Sequence, residues 1–341
     1  MTITDIQPAA ATRRHAPGVG LAVALGLVAW LLARVVPLVG APVVAIVLGV
    51  LVALWRPLSP TTRPGVHFAA KRVLQLSIVV LGLELSWHEV VVTGLSSLPV
   101  LIGTLVVALG GAWVVGRLVG IEGDLRTLIG VGTAICGASA IAATDAVIDA
   151  HERDVAYAVA TIFTFNVAAV LTFPSIGHLL HLSPHAFGVW AGTAVNDVSS
   201  VVAASSAYGH HASSTAVVVK LARSLAIVPI ALGLSLLRTG RVARAEGTSR
   251  VAVARRAFPW FILWFLAAVA VDSFGWVPHA ALSGLGQLAQ LLIAIALAGV
   301  GLSVRPREIR SAGWRPLALG AALWVLVGAS SLGIAHVFPT H

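Results

Sequence analysis

The sequence predicts an all-α, polytopic integral membrane protein. Two observations fix that class. Of 341 residues, 58% are apolar and only 10% charged, whereas a soluble domain is about half apolar and about a quarter charged. The apolar runs are also about 15 to 25 residues long without period-two alternation, which indicates membrane helices rather than barrel strands. A soluble enzyme, a disordered tail and a secreted disulfide scaffold are thereby excluded. The single cysteine, Cys136, admits neither an internal disulfide nor a CxxC metal signature.

Eleven apolar spans follow in order, over 19–37, 42–56, 72–86, 97–119, 127–149, 155–178, 187–208, 215–237, 258–274, 284–303 and 316–338. The second and third are short for an upright crossing. Placing Arg13 and Arg14 in the cytoplasm and alternating sides puts eighteen of the 22 basic residues on cytoplasmic segments. Arg34 and Arg153 fall outside, and Lys220 and Arg223 fall inside the eighth span. This asymmetry matches the positive-inside rule, so the net charge of +9 reflects cytoplasmic loops rather than nucleic-acid binding. The organisation expected is a cytoplasmic tail over 1–18 and one transmembrane domain over 19–338, with a cytoplasmic N-terminus. No small-x-small cleavage site follows the first span before Pro37, so it reads as a retained helix.

Two internal similarities stand out. At an offset of 217, Gly82-Leu-Glu-Leu-Ser86 matches Gly299-Val-Gly-Leu-Ser303, and Pro99, Gly103 and Gly111 match Pro316, Gly320 and Gly328. With eleven crossings these segments run in opposite directions, as an inverted repeat requires. At an offset of 60, Gly132–Ser139 (GTAICGAS) matches Gly192–Ser199 (GTAVNDVS). Eleven crossings give this second pair the same orientation.

Ionisable groups inside spans are costly and mark function. Glu84, Asp145, Asp149 and Asp272 lie near span ends and can reach an interface. Asn196 and Asp197 lie mid-span among Gly192, Thr193, Ser199 and Ser200, a composition that weakens a helix and frees backbone groups for a ligand. Both Asn residues of the chain, Asn166 and Asn196, are intramembrane. Lys220 and Arg223 share a helix face, which fits an anion site or an ion pair with Asp197. The small-residue run Gly130–Ser139 allows close packing or a helix break, and a broken helix offers N–H groups to an anion. The histidines fall mostly in loops and form no HExxH pattern, so no metal and no cofactor are expected. Cys136 has no His and acid placed with it, and no GxxxxGK[ST] motif is present. The chain is therefore expected not to be an enzyme and to draw energy from a gradient.

The Gly132–Ser139 and Gly192–Ser199 segments, with Leu81-Gly-Leu-Glu-Leu-Ser86, resemble the YeiH-type bacterial membrane proteins, a family named for sulfate export. The resemblance covers about 20–338. It implies a place in the broad cation/proton antiporter and anion transporter superfamily, with inverted repeats of five helices and two broken helices that cross. On that plan the first span is extra, 42–178 and 187–338 are the repeats, and spans five and ten cross.

The expected function is a secondary transporter of the bacterial inner membrane, moving a small inorganic or sulfonated anion such as sulfate by alternating access. Lys220 and Arg223 would attract the anion; Thr133, Ser139, Thr193, Asn196 and Ser199 would bind it; Asp197 would carry a coupling proton or compete for the cations. The alternative is a cation/proton antiporter in which Asp197 and Asn196 hold Na⁺ or H⁺. The expected partners are the anion and the lipid bilayer, with a homodimer as the assembly and nucleic acid excluded.

Overall fold

The computed structural model describes residues 8–35, 41–55, 58–237, 258–304 and 313–338. All regular structure among them is helical. The arginine-rich segments 238–257 and 305–312 lie outside the described residues. Among the described residues, seven helices are long and apolar enough to cross a membrane. Apolar side chains such as Leu31, Ile102, Val106, Trp264 and Val325 are exposed, as a surface solvated by lipid requires. The chain divides into two compact units.

The first unit comprises residues 1–86 and 263–305. It holds α1 (Pro8–Val35), α2 (Ala41–Trp55), α3 (Arg63–Gly82), most of α13 (Phe261–Ser273) and α14 (His279–Leu302). Its helix α1 begins at Pro8, ten residues before the tail predicted from the sequence ends. Glycines set its packing. A Cβ at Gly301 would lie 2.3 Å from the Ile46 carbonyl oxygen, and one at Gly26 would lie 2.6 Å from the Ile295 Cα. Helix α14 therefore meets α2 and α1 backbone to backbone, which only residues without side chains permit. Gly299 faces Ala70 and Gly286 faces Glu84, so α14 runs antiparallel to α3. Gln287 and Gln290 are on an exposed face of α14.

The second unit comprises residues 87–262 and 306–341. Its helices are α4 (Trp87–Ser96), α5 (Leu98–Val119), α6 (Gly123–Ala134), α7 (Ala138–Ile148), α8 (Glu152–Leu179), α9 (Pro184–Ala194), α10 (Val198–Tyr208), α11 (His210–Ser224), α12 (Ile227–Leu237) and α15 (Trp314–Val337). Helices α5 and α15 are antiparallel, with Gly103 against Ile334 and Gly111 against Leu323. Both pairs matched at the offset of 217 are thus antiparallel in space.

Predicted spans five and seven are each a helical hairpin instead of a crossing. In α9–α10 the Phe187 and Tyr208 rings stack at 3.8 Å, and the Tyr208 hydroxyl donates to the Leu182 carbonyl at 2.6 Å. The start of α9 and the end of α10 are therefore side by side. In α6–α7, Gly132 packs on Ile141, and Ile121 at the base of one arm shares an apolar cluster with Val147 and Ile148 at the base of the other.

Helix α8 shows that the two hairpins approach from opposite ends. Its early residues Ala158 and Ile162 pack on hairpin α6–α7, whereas its late residues Phe173 and Ile176 pack with Phe187, Trp190 and Tyr208 of hairpin α9–α10. The two segments matched at the offset of 60 are consequently opposed, not co-oriented. Each returns to the end it entered from, so only α8 separates them. A second correction concerns the tenth span. The resemblance implied a break there, but α14 is continuous over His279–Leu302; both broken segments lie in the second unit.

Helices α11 and α12 run the whole distance. Gly188 faces Ala212 and Thr215, and Gly192 faces Ala216 and Val219, so α11 is parallel to α9. A Cβ at Gly192 would lie 2.8 Å from the Ala216 oxygen; this glycine serves close packing rather than unwinding. Beyond the hairpin tips, Leu234 of α12 joins the cluster at the base of α6–α7.

Candidate functional site where two hairpin tips meet

The tips occupy 135–137 and 195–197, facing the middle of α8. Ile135 departs from helical geometry at φ −118° and ψ −89°, and Gly137 turns the chain at φ 67° and ψ −131°. On the other hairpin Val195 and Asp197 are extended. Breaking a helix leaves carbonyls without partners at the end of the first arm and N–H groups without partners at the start of the second. The two kinds of end are satisfied by different residues.

Lys220 and Arg223 satisfy the carbonyl ends. Lys220 is 0% and Arg223 1% exposed. The Lys220 ammonium donates to Ile135 O at 2.9 Å and Val195 O at 2.8 Å. These two carbonyls are equivalent at the offset of 60, so one cation joins matching points of the two hairpins. Arg223 Nε donates to Ala134 O at 2.6 Å and Nη2 to Thr133 O at 3.0 Å. Cations at helix C-termini also meet the favourable end of each helix dipole. Neither cation hydrogen-bonds Asp197, so carbonyl capping stands where an ion pair with Asp197 was one of the two readings of the sequence. Burying the charges is tolerated because each is fixed by short, charge-assisted bonds.

Asp197 satisfies the N-terminal end of α10. Its carboxylate accepts the Ser200 N–H at 2.8 Å and the Ser200 hydroxyl at 2.9 Å, as well as the Ser199 hydroxyl and Asn166 Nδ2. Asn166 Oδ1 accepts the Asn196 N–H at 3.3 Å. Asp197 is thus an N-cap held by four donors. Asn196 is 1% exposed, and its Oδ1 has no hydrogen-bond partner.

The remaining predicted site residues divide. The Thr133 hydroxyl donates to Ile129 O at 2.9 Å within α6; only the Thr133 carbonyl faces a cation. The Thr193 hydroxyl bonds Val189 O and pairs with the Ser331 hydroxyl of α15 at 2.6 Å. It ties two helices together and does not line the tips. Ser139 is exposed at the start of α7. The tips thus bring together Lys220, Arg223, Asn196, Asp197 and Ser199, with Ser139 beside them, while Thr193 is turned away. Asn166 and Ser200 were missed as site residues. For Asn166 the signal was available, since it is one of two Asn in the chain and both lie inside spans.

Comparison with known proteins places the chain in a family. The family model "Conserved hypothetical protein 698" matches residues 17–320. A UPF0324 membrane protein of Streptococcus pyogenes serotype M6 is 42% identical, covering 94% of this chain and 96% of its own length. Its namesake from Streptococcus mutans is 37% identical, covering 94% and 96%, and one from Fusobacterium nucleatum is 35% identical, covering 94% and 97%. No solved structure matches. With matches of this extent and full-length relatives of this similarity, the chain belongs to the UPF0324 membrane protein family.

Proposed function

We propose that this protein is a secondary transporter of the bacterial inner membrane that moves a small anion through the junction of its two hairpin tips. The observation that carries the reading is the charge balance there: the tip residues include two cations, buried to 0% and 1% exposure, and one carboxylate, Asp197, which bonds neither of them. A surplus positive charge in a low-dielectric setting is stabilised when an anion arrives. Opposed hairpins joined at one point also suit alternating access, because a ligand at the tips is reached from either end. The YeiH-type resemblance adds the substrate class, a sulfur oxyanion or sulfonate moved outward.

Membrane topology supports the reading. If each hairpin returns to the side it entered, nine crossings remain instead of eleven, and Arg153 joins Arg117 and Arg126 on the cytoplasmic side. Nineteen of the 22 basic residues are then cytoplasmic, leaving only Arg34 outside apart from the two at the tips, as the positive-inside rule favours. The opposed hairpins and the antiparallel pairs α3/α14 and α5/α15 suit an inverted repeat, with the N-terminus in the cytoplasm.

Radiolabelled sulfate flux into proteoliposomes tests the function. We expect gradient-driven uptake by the wild type and by Asp197→Asn, which keeps an N-cap side chain, and loss of uptake in Lys220→Met. The cation/proton antiporter alternative expects sodium or proton flux that Asp197→Asn abolishes. Absence of sulfate flux together with such a cation flux overturns the anion reading.

A further inference from the structure

The two hairpin tips align at an offset of 60, sharing Gly-Thr-Ala and a serine, yet their second arms begin differently. Helix α10 starts with a built-in anion: Asp197 caps it and bonds Ser199 and Ser200. The matching position before α7 is Gly137, which has no side chain, and no side chain caps α7. The matching serine, Ser139, is exposed. The Ala138 and Ser139 N–H groups lie in the first turn, where no carbonyl of their own helix can accept them. One hairpin therefore carries its own carboxylate where the other carries none.

A second observation points to a ligand on the same tip. Arg223 spends Nε and Nη2 on Ala134 O and Thr133 O, the last carbonyls of α6. Its Nη1 is buried and has no partner, although the residue is only 1% exposed. A buried guanidinium nitrogen without an acceptor is costly, and here it stands at the tip that leads into the uncapped helix.

We infer that the anion docks on the α6–α7 tip alone, at the start of α7. The Ala138 and Ser139 amides and the Ser139 hydroxyl would receive an oxyanion with the Arg223 charge behind them, and the α9–α10 tip is closed to anions by Asp197. The carboxylate of Asp197 shows what the matching helix start accepts: an oxygen-bearing anion able to take several donors at once, such as sulfate. This inference rests on the anion reading above and names its binding end.

Proline separates the two tips. Proline at the first helical position removes one N–H and leaves the helix intact. Both preceding residues can accept it, because Asp197 is extended at φ −102° and ψ 159°, and Gly137 adopts the mirror-image extended region open to glycine. Sulfate binding to the purified full chain in lipid nanodiscs would be measured by calorimetry for the wild type, Ala138→Pro, Val198→Pro and Ser139→Ala, with thermal unfolding confirming the fold. We expect Ala138→Pro and Ser139→Ala to weaken sulfate binding about tenfold and about threefold, and Val198→Pro to leave it within twofold. Equal weakening by the two prolines, or weakening by Val198→Pro alone, overturns the assignment to the α6–α7 tip and leaves the anion reading standing. No saturable sulfate binding to the wild type overturns both. If Ala138→Pro does not fold, Ser139→Ala decides: unchanged binding overturns the assignment.

Discussion

Replacing Lys220 by Met should separate stability from transport. Met has nearly the length of the lysine stem and no charge. The substitution removes two charge-assisted hydrogen bonds, to Ile135 O and Val195 O, each worth about 1.5–3 kcal/mol. It also removes the penalty of holding an ammonium at 0% exposure, which is several kcal/mol in folded proteins. The two changes nearly cancel, so the melting temperature should move by only a few degrees. Transport has no such compensation. A unit charge acting across about 6 Å at an effective dielectric of about 20 contributes about 3 kcal/mol, or roughly a hundredfold in anion affinity. Thermal unfolding in detergent gives the first quantity, and the concentration dependence of sulfate flux in proteoliposomes gives the second. Wild-type affinity in a folded Lys220→Met protein would refute the claim that this charge serves the substrate. A collapse in stability with unchanged affinity would make it a structural clamp alone.

The hairpin topology predicts labelling sides. In a Cys136→Ser background, cysteines placed at Glu122 and His151 should react with an impermeant maleimide from one face, and those at Ser183 and Gly209 from the other; opposite faces for 122 and 151 would restore a crossing helix. Asn166→Leu should lower stability by about 2–3 kcal/mol, because it leaves the Asn196 N–H and the Asp197 carboxylate each short of a partner; thermal unfolding within a degree of wild type would count against that network. Gly301→Ala places a Cβ 2.3 Å from the Ile46 oxygen and should cost about 1–3 kcal/mol of overpacking strain, whereas Gly333→Ala, with open space around it, should be neutral.

Much of the site was legible before its geometry. Composition fixed the class, because no water-soluble fold can cover so much apolar surface. The rarity of intramembrane charge singled out Lys220, Arg223 and Asp197, and the tip residues of both hairpins sit inside the repeated Gly-Thr-Ala segments. The roles were less legible. Spacing put Lys220 and Arg223 on one helix face, but their partners are backbone carbonyls at 133, 134, 135 and 195. Every residue carries a carbonyl, so no residue type in the sequence marks those that are freed. Thr193 looked like a ligand group because hydroxyls bind ions; it is held by Ser331, 138 residues away.

Sequence alone determined that the chain lives in lipid, that it is helical, and which few polar groups are buried at the cost of desolvation. Tertiary structure decided direction. An apolar run of about 22 residues with a glycine-rich middle satisfies its own backbone equally well as one crossing helix or as two short arms folded back. The choice depends on whether something caps the freed carbonyls at the turn. Lys220 and Arg223 do so from a helix that passes both tips, and that meeting of distant segments turned two predicted crossings into opposed hairpins.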